Sequence, residues 1–141
     1  MEFHRGRLVD HVQIVTANYA ASRRFYGALL DILGVAIDYD GGDWFQADEL
    51  VVSTGTPTTG RIHLAFQAKD RETVDRFHEA GLTAGGRDNG KPGERDYHPG
   101  YYAAFLFDPD GNNVEAVFHG PAKRSAAAIE IDLGGIKPAA G

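Results

Sequence analysis

Polar residues interrupt an otherwise apolar, β-branched run from Leu8 to Val15 at every second or third step, which predicts a first strand. Asn18 then stands where a helix cap belongs. The segment YAASRRFYGALLDIL that follows spaces Ala21, Phe25, Ala28, Leu29 and Ile32 as one helical face, and Gly34 stands where such a helix should end. Two or three short strands are predicted over Val35 to Tyr39, Asp43 to Ala47 and Leu50 to Ser53, separated by DGGD and closed by TGTPTTG. The order starts again with a strand over Arg61 to Gln67, an Asp70 cap, an amphipathic helix carrying Val74, Phe77 and Leu82, and a short strand over Ala84 to Arg87. A long polar segment, DNGKPGERDYHPG, leads into a hairpin, AFLFDPDGNNVEAVFHG. The predicted fold is α+β: two tandem βαβββ modules, at 8–54 and 60–119, in a single domain over 1–141, with a tail at 120–141.

Sliding the chain by 52 residues makes the repeat explicit: His11 falls on His63, Asn18 on Asp70, Arg24 on Arg76, Phe25 on Phe77 and Ala28 on Ala80. Apolar matches arise in any two strand–helix units, but a generic core does not require histidine twice at the same pleat position. Alternation puts Val9, His11 and Gln13 on one face of the first strand and Val12 and Ile14 on the other. The same rule puts His63, Ala65 and Gln67 together, and Glu115, Val117 and His119 together. If these strands share a curved sheet, two imidazoles and a carboxylate converge on its concave side. That is a ligand set for a divalent transition metal, and it would give Glu115 a counter-charge. The alternative is a hydrogen-bonded core or surface histidine at each site and a Glu115 that faces solvent.

The composition removes other classes of function. A net charge of −6 and no basic run argue against nucleic acid and anionic membranes as partners. The absence of cysteine excludes disulfides, thiolate metal sites and cysteine nucleophiles. No apolar run is long enough to cross a bilayer, and the first residues lack the apolar core of a signal peptide, so a cytoplasmic location is expected.

The paired modules, with DHVQIVT leading to SRRFYGALLDILG, then GRIHLAFQA and FDPDGNNVEAV, resemble the vicinal oxygen chelate superfamily. It includes glyoxalase I, fosfomycin-resistance thiol transferases, bleomycin-resistance proteins and extradiol dioxygenases. The resemblance spans about residues 8 to 119. It implies curved mixed sheets around a cup-shaped site, with His11, His63 and Glu115 binding a divalent ion such as Zn, Ni, Mn, Co or Fe. It also implies a homodimer, in which metal ligands often come from two chains. Glyoxalase I has a further metal-binding carboxylate on the strand corresponding to ELVVSTG, where this chain offers Val51, Val52 or Ser53, with Glu49 at the edge. A strict lactoylglutathione lyase is therefore not expected.

Supporting groups are sought in the segment from Gly90 to Tyr102, which is rich in Gly and Pro and suits a substrate-facing lid or a solvated loop. Lys91, Arg95 and Tyr97, with Gln13, are candidates for substrate binding, and His98 and Tyr102 for catalysis. Tyr102 is preferred to Tyr101 only if its strand face matches that of Glu115. Trp44 and Phe45 should point opposite ways. His4, His78 and His119 are expected to be structural or exposed, and AIEIDL in the tail is a candidate edge strand or partner clasp. The expected function is a metal-dependent lyase, isomerase or transferase acting on a small, vicinally oxygenated substrate. The alternatives are an Fe(II) extradiol-type dioxygenase and a non-catalytic small-molecule binder like the bleomycin-resistance proteins.

Overall fold

A computed structural model describes residues 5–125, 127–130, 132 and 134. It contains the strands β1 (Val12–Thr16), β2 (Tyr39–Asp40), β3 (Trp44–Ala47), β4 (Leu50–Thr54), β5 (His63–Gln67), β6 (Arg87–Glu94), β7 (Tyr102–Phe107) and β8 (Asn113–Phe118). Its helices are α1 (Tyr19–Leu33) and α2 (Arg71–Thr83). The strands form two four-stranded mixed sheets of matching order, β1-β4-β3-β2 and β5-β8-β7-β6, as tandem βαβββ modules require. Within each sheet only the edge pair, β1–β4 or β5–β8, is parallel.

Both helices begin at the caps that the sequence marks. The Asn18 side chain accepts from the Ala21 N–H, and the Asp70 side chain accepts from the Thr73 N–H. Gly34 closes α1 at φ 75°, a left-handed conformation that costs glycine little. Phe25, Tyr26 and Leu29 on α1 and Val74 and Phe77 on α2 are fully buried, and they share one continuous core with Ile14, Phe45, Val52, Leu106 and Val114 from the sheets. The other face of each sheet lies away from this core.

Tyr26 also joins the modules through polar groups. Its hydroxyl donates to Asp108 Oδ2 at 2.6 Å, and that carboxylate further accepts from the Asn112 side chain and from the Asp110 and Asn112 backbone N–H groups. The second carboxylate of the turn, Asp110, accepts from Thr16 Oγ1 at 2.6 Å, at the end of β1. The DPDG turn therefore does more than reverse the chain between β7 and β8, because it docks the second module on the first.

Several boundaries differ from the sequence expectation. β1 begins at Val12 rather than Leu8, and Leu8 is 95 % exposed. Of Val35 to Tyr39 only Tyr39 enters a ladder, while Val35 and Ile37 pack against the core without pairing. The strand expected at 84–87 starts only at Arg87 and runs through the polar segment to Glu94. Register shifts between Asp88 and Gly90 and between Gly90 and Gly93 kink this edge strand. In the tail, Ile131 and Leu133 lie outside the described residues, and Ala128, Ile129, Glu130 and Asp132 form no strand. His4 also lies outside the described residues. Among the described residues, no helix is long and apolar enough to cross a membrane.

Candidate active site

β5 and β8 run parallel with Ala65 opposite Glu115, so His63, two residues before Ala65, projects from the same face as Glu115. His63 Nε2 lies 2.7 Å from Glu115 Oε1. The imidazole is 54 % exposed, whereas the carboxylate is only 2 % exposed. Its other oxygen, Oε2, accepts from the Tyr101 hydroxyl at 2.5 Å. Burial first, and then this hydrogen bond, push the Tyr101 phenol well above its ordinary pKa of 10.0, so it stays a donor at neutral pH.

Tyr101 rather than Tyr102 faces the site. Phe105 on β7 sits opposite Glu115, and alternation carries that face to Ala103 and Tyr101. Tyr102 points the other way, where its hydroxyl donates to Asp75 on α2 and the Arg71 guanidinium lies over its ring. Tyr102 therefore braces α2 against the sheet, away from the carboxylate.

Aromatic groups surround Tyr101. The rings of Tyr97, His98 and His119 lie 4.9, 5.3 and 5.3 Å from it, all edge to face. His98 Nε2 and His119 Nδ1 are 2.8 Å apart, and His98 Nδ1 is 2.9 Å from the Pro99 carbonyl oxygen. A carbonyl only accepts, so Nδ1 of His98 carries the proton. Neutral His98 then accepts at Nε2, and His119 donates from Nδ1, which leaves His119 Nε2 as the proton-accepting nitrogen of the pair. Burial first, then His98 and Arg5, lower the pKa of His119, and Glu115 opposes them. Sequence reasoning set His119 aside, although alternation had already placed it on the Glu115 face.

The remaining candidates spread around this cluster. Arg95 lies over the Phe105 ring at 5.3 Å and donates to the Lys91 carbonyl, while Phe105 packs 6.0 Å from His63. Lys91 is exposed on β6, and Tyr97 is exposed beside Tyr101. Gln13 sits on the first sheet and donates to Ser53 Oγ on β4. Trp44 packs on Tyr39, while Phe45 is buried in the core. His78 is buried and lies 2.9 Å from Asp88 Oδ1, linking α2 to β6.

His11 precedes β1 in the first module, half-exposed, with Nδ1 2.7 Å from Asp10. Among the described residues of one chain it does not join His63 and Glu115 in a cluster of three ligands. The first module also shows what occupies the position equivalent to Glu115. Gln13 pairs with Val51 as Ala65 pairs with Glu115, so the equivalent residue is Val51, buried and without a charge. Glu49 precedes β4, and its carbonyl accepts from the Val12 N–H.

The Glyoxalase/Bleomycin resistance protein/Dioxygenase superfamily profile matches residues 8–116. An uncharacterised protein of Bacillus subtilis strain 168, YqjT, is 32 % identical to the chain and aligns with 77 % of it and 97 % of its own length. A crystal structure of a glyoxalase/bleomycin resistance protein from Albidiferax ferrireducens T118 is 32 % identical. It covers 78 % of this chain and 98 % of its own, with a TM-score of 0.64. A glyoxalase-related enzyme from Fulvimarina pelagi shares the fold at 22 % identity and a TM-score of 0.61, over 85 % of this chain and 99 % of its own.

Proposed function

Because the chain belongs to the glyoxalase/bleomycin resistance protein/dioxygenase superfamily, we propose that it is a divalent-metal-dependent glyoxalase-like enzyme acting on a small, vicinally oxygenated substrate. The observation that carries this reading is the approach of His63 Nε2 to the buried Glu115 Oε1. Ligands bound to one ion at about 2.0–2.2 Å lie roughly 3 Å apart. The 2.7 Å separation is that of a hydrogen bond, so the two donors already converge on one point and need part by only about 0.3–0.8 Å to share an ion. The donors also fit, since imidazole and carboxylate suit zinc, nickel, manganese, cobalt or iron.

A third protein ligand would come from His11 of a second copy. His11 stands at the start of an edge strand, next to Leu8 and Val9, which are 95 % and 59 % exposed. An exposed apolar pair beside a half-exposed imidazole suits an intersubunit contact. The first module's Val51 supplies no fourth ligand, so the set is two histidines and one carboxylate.

When bound, the ion would act as a Lewis acid toward negative charge developing on a substrate oxygen. The chain's own residues would do the rest. His119 Nε2, left as the acceptor nitrogen when Nδ1 donates to His98, accepts a proton beside Tyr101. Arg95, held over Phe105, and Lys91 supply positive charge for an anionic substrate. The reaction would be a lyase, isomerase or transferase step. A second reading, an Fe(II) extradiol-type dioxygenase, is favoured by the histidine pair, which would supply the acid and base that ring cleavage requires.

Metal analysis of the purified protein tests the proposal. About one ion per protomer is expected, with loss in His63→Ala and Glu115→Gln. Bound nickel, zinc, manganese or cobalt with turnover of hemithioacetals or epoxides supports the first reading. Iron with oxygen uptake on catechols supports the second. A metal-free protein whose His11→Ala variant behaves like the wild type would favour the non-catalytic binder.

A further inference from the structure

We propose that Tyr101 is a positioning residue that restricts Glu115 to one ligating oxygen, and so keeps coordination positions open for a substrate with two adjacent oxygens. The inference rests on the metal reading above. A carboxylate can bind an ion through one oxygen or both, and bidentate binding occupies a position that a chelating substrate would need. Here the two oxygens are used differently. Oε1 faces His63 Nε2, while Oε2 is held by the Tyr101 phenol.

The phenol is itself fixed in place. The backbone N–H of Tyr101 donates to the His98 carbonyl, and its own carbonyl accepts from the Arg95 N–H. The rings of Tyr97, His98 and His119 enclose its side chain. A phenol held by two backbone bonds and three rings has little freedom to leave Oε2. It holds the carboxylate in one rotation about its terminal bond, as groups beyond the ligands commonly do for the ligands of a metal.

The test uses cobalt(II) as the probe on the full chain, with oxalate as a bidentate oxygen ligand for the loaded protein. Tyr101→Phe removes one oxygen atom and keeps the ring packing. The expected result is cobalt affinity about 10- to 100-fold weaker, a changed visible absorption spectrum of the bound cobalt, and weaker oxalate binding. Tyr39→Phe, which removes a phenol from the first sheet, where the ring packs on Trp44, should leave all three unchanged, and thermal melts of both variants report the fold separately. A Tyr101→Phe protein with wild-type affinity, spectrum and oxalate binding overturns the inference while leaving the metal reading intact. A wild type that takes up no cobalt overturns the metal reading and this inference with it. If Tyr101→Phe melts early, Tyr101→Leu, which fills part of the same space with no hydrogen-bonding group, should show the same cobalt and oxalate losses.

Discussion

Tyr26→Phe isolates the bond that joins the two modules. Tyr26 is fully buried, and Asp108 is 1 % exposed. The substitution deletes only the hydroxyl that donates to Asp108 Oδ2 at 2.6 Å, and it leaves the ring in its edge-to-face contact with Phe25. No cavity of consequence forms, so the cost comes from the hydrogen bond. A bond to a charged acceptor contributes about 1.5–3 kcal/mol. Asp108 keeps donors from Asn112 Nδ2 and from the Asp110 and Asn112 N–H groups, so the lower part of that range applies, about 2 kcal/mol. With a urea slope of about 2 kcal/mol/M, the unfolding midpoint should fall by roughly 1 M. Asp108→Asn costs more, because an amide brings N–H groups toward donors. Combining the two variants should give a total short of the sum, with a coupling energy of about 1 kcal/mol or more. A midpoint within about 0.2 M of wild type, or additive losses, would refute the claim that this bond joins the modules.

Other consequences can be checked in parallel. Gly81→Ala should destabilise the fold by about 1–2 kcal/mol despite alanine's helix preference, because the new Cβ would lie 2.2 Å from Leu106 Cδ1 and 3.1 Å from Leu29 Cδ2; a stabilised variant in urea melts would contradict this. The depressed pKa of His119 means that the folded state resists a proton that the unfolded chain accepts near 6.5. Its contribution is present above 6.5 and lost as pH falls through the folded value. Stability of His119→Gln should therefore change less between pH 8 and pH 5 than that of wild type, and parallel curves would count against the burial argument. Val51→Glu should lower the stability of the metal-free protein by about 3 kcal/mol, since it buries a charge with no partner, with part of the loss recovered on adding cobalt. If two chains share each site, mixing His11→Ala with Glu115→Gln protomers should restore metal to about a quarter of sites, because half of the dimers are mixed and each has one complete site. No recovery on mixing would count against His11 of a second copy as the third ligand.

The parts of the fold written in local chemistry were legible in the sequence. Asn18, Asp70 and Gly34 mark helix ends through bonds to residues three or four positions away, and those ends stand where the spacing put them. Alternation likewise put each of His63 and Glu115 on the mixed face of its own strand, and the register of β5 with β8 is what brings the two together. Features that depend on distant partners were not legible. The choice between Tyr101 and Tyr102 turns on register across the β7–β8 turn, and a shift of one residue exchanges the two faces. The role of His119 depends on His98, 21 residues away in the chain. Leu8 and Val9 belong to the apolar run read as the first strand, yet they precede β1 and are exposed, because the run does not mark where pairing with β4 begins. β6 was hidden by the Gly and Pro that accompany its bulges.

The parallel pairing of β5 with β8 has a kinetic meaning. His63 and Glu115 are neighbours across the ladder but 52 residues apart in the chain, with α2, β6 and β7 between them. Bringing such distant ends together costs about 3.5 kcal/mol of loop-closure entropy beyond a constant, with no local turn to guide it. The two donors can meet only after the intervening elements have condensed, so the site should be among the last features to form during folding. The imidazole–carboxylate contact would then report that the second module is complete, and a chain arrested before that point would carry both residues without a site.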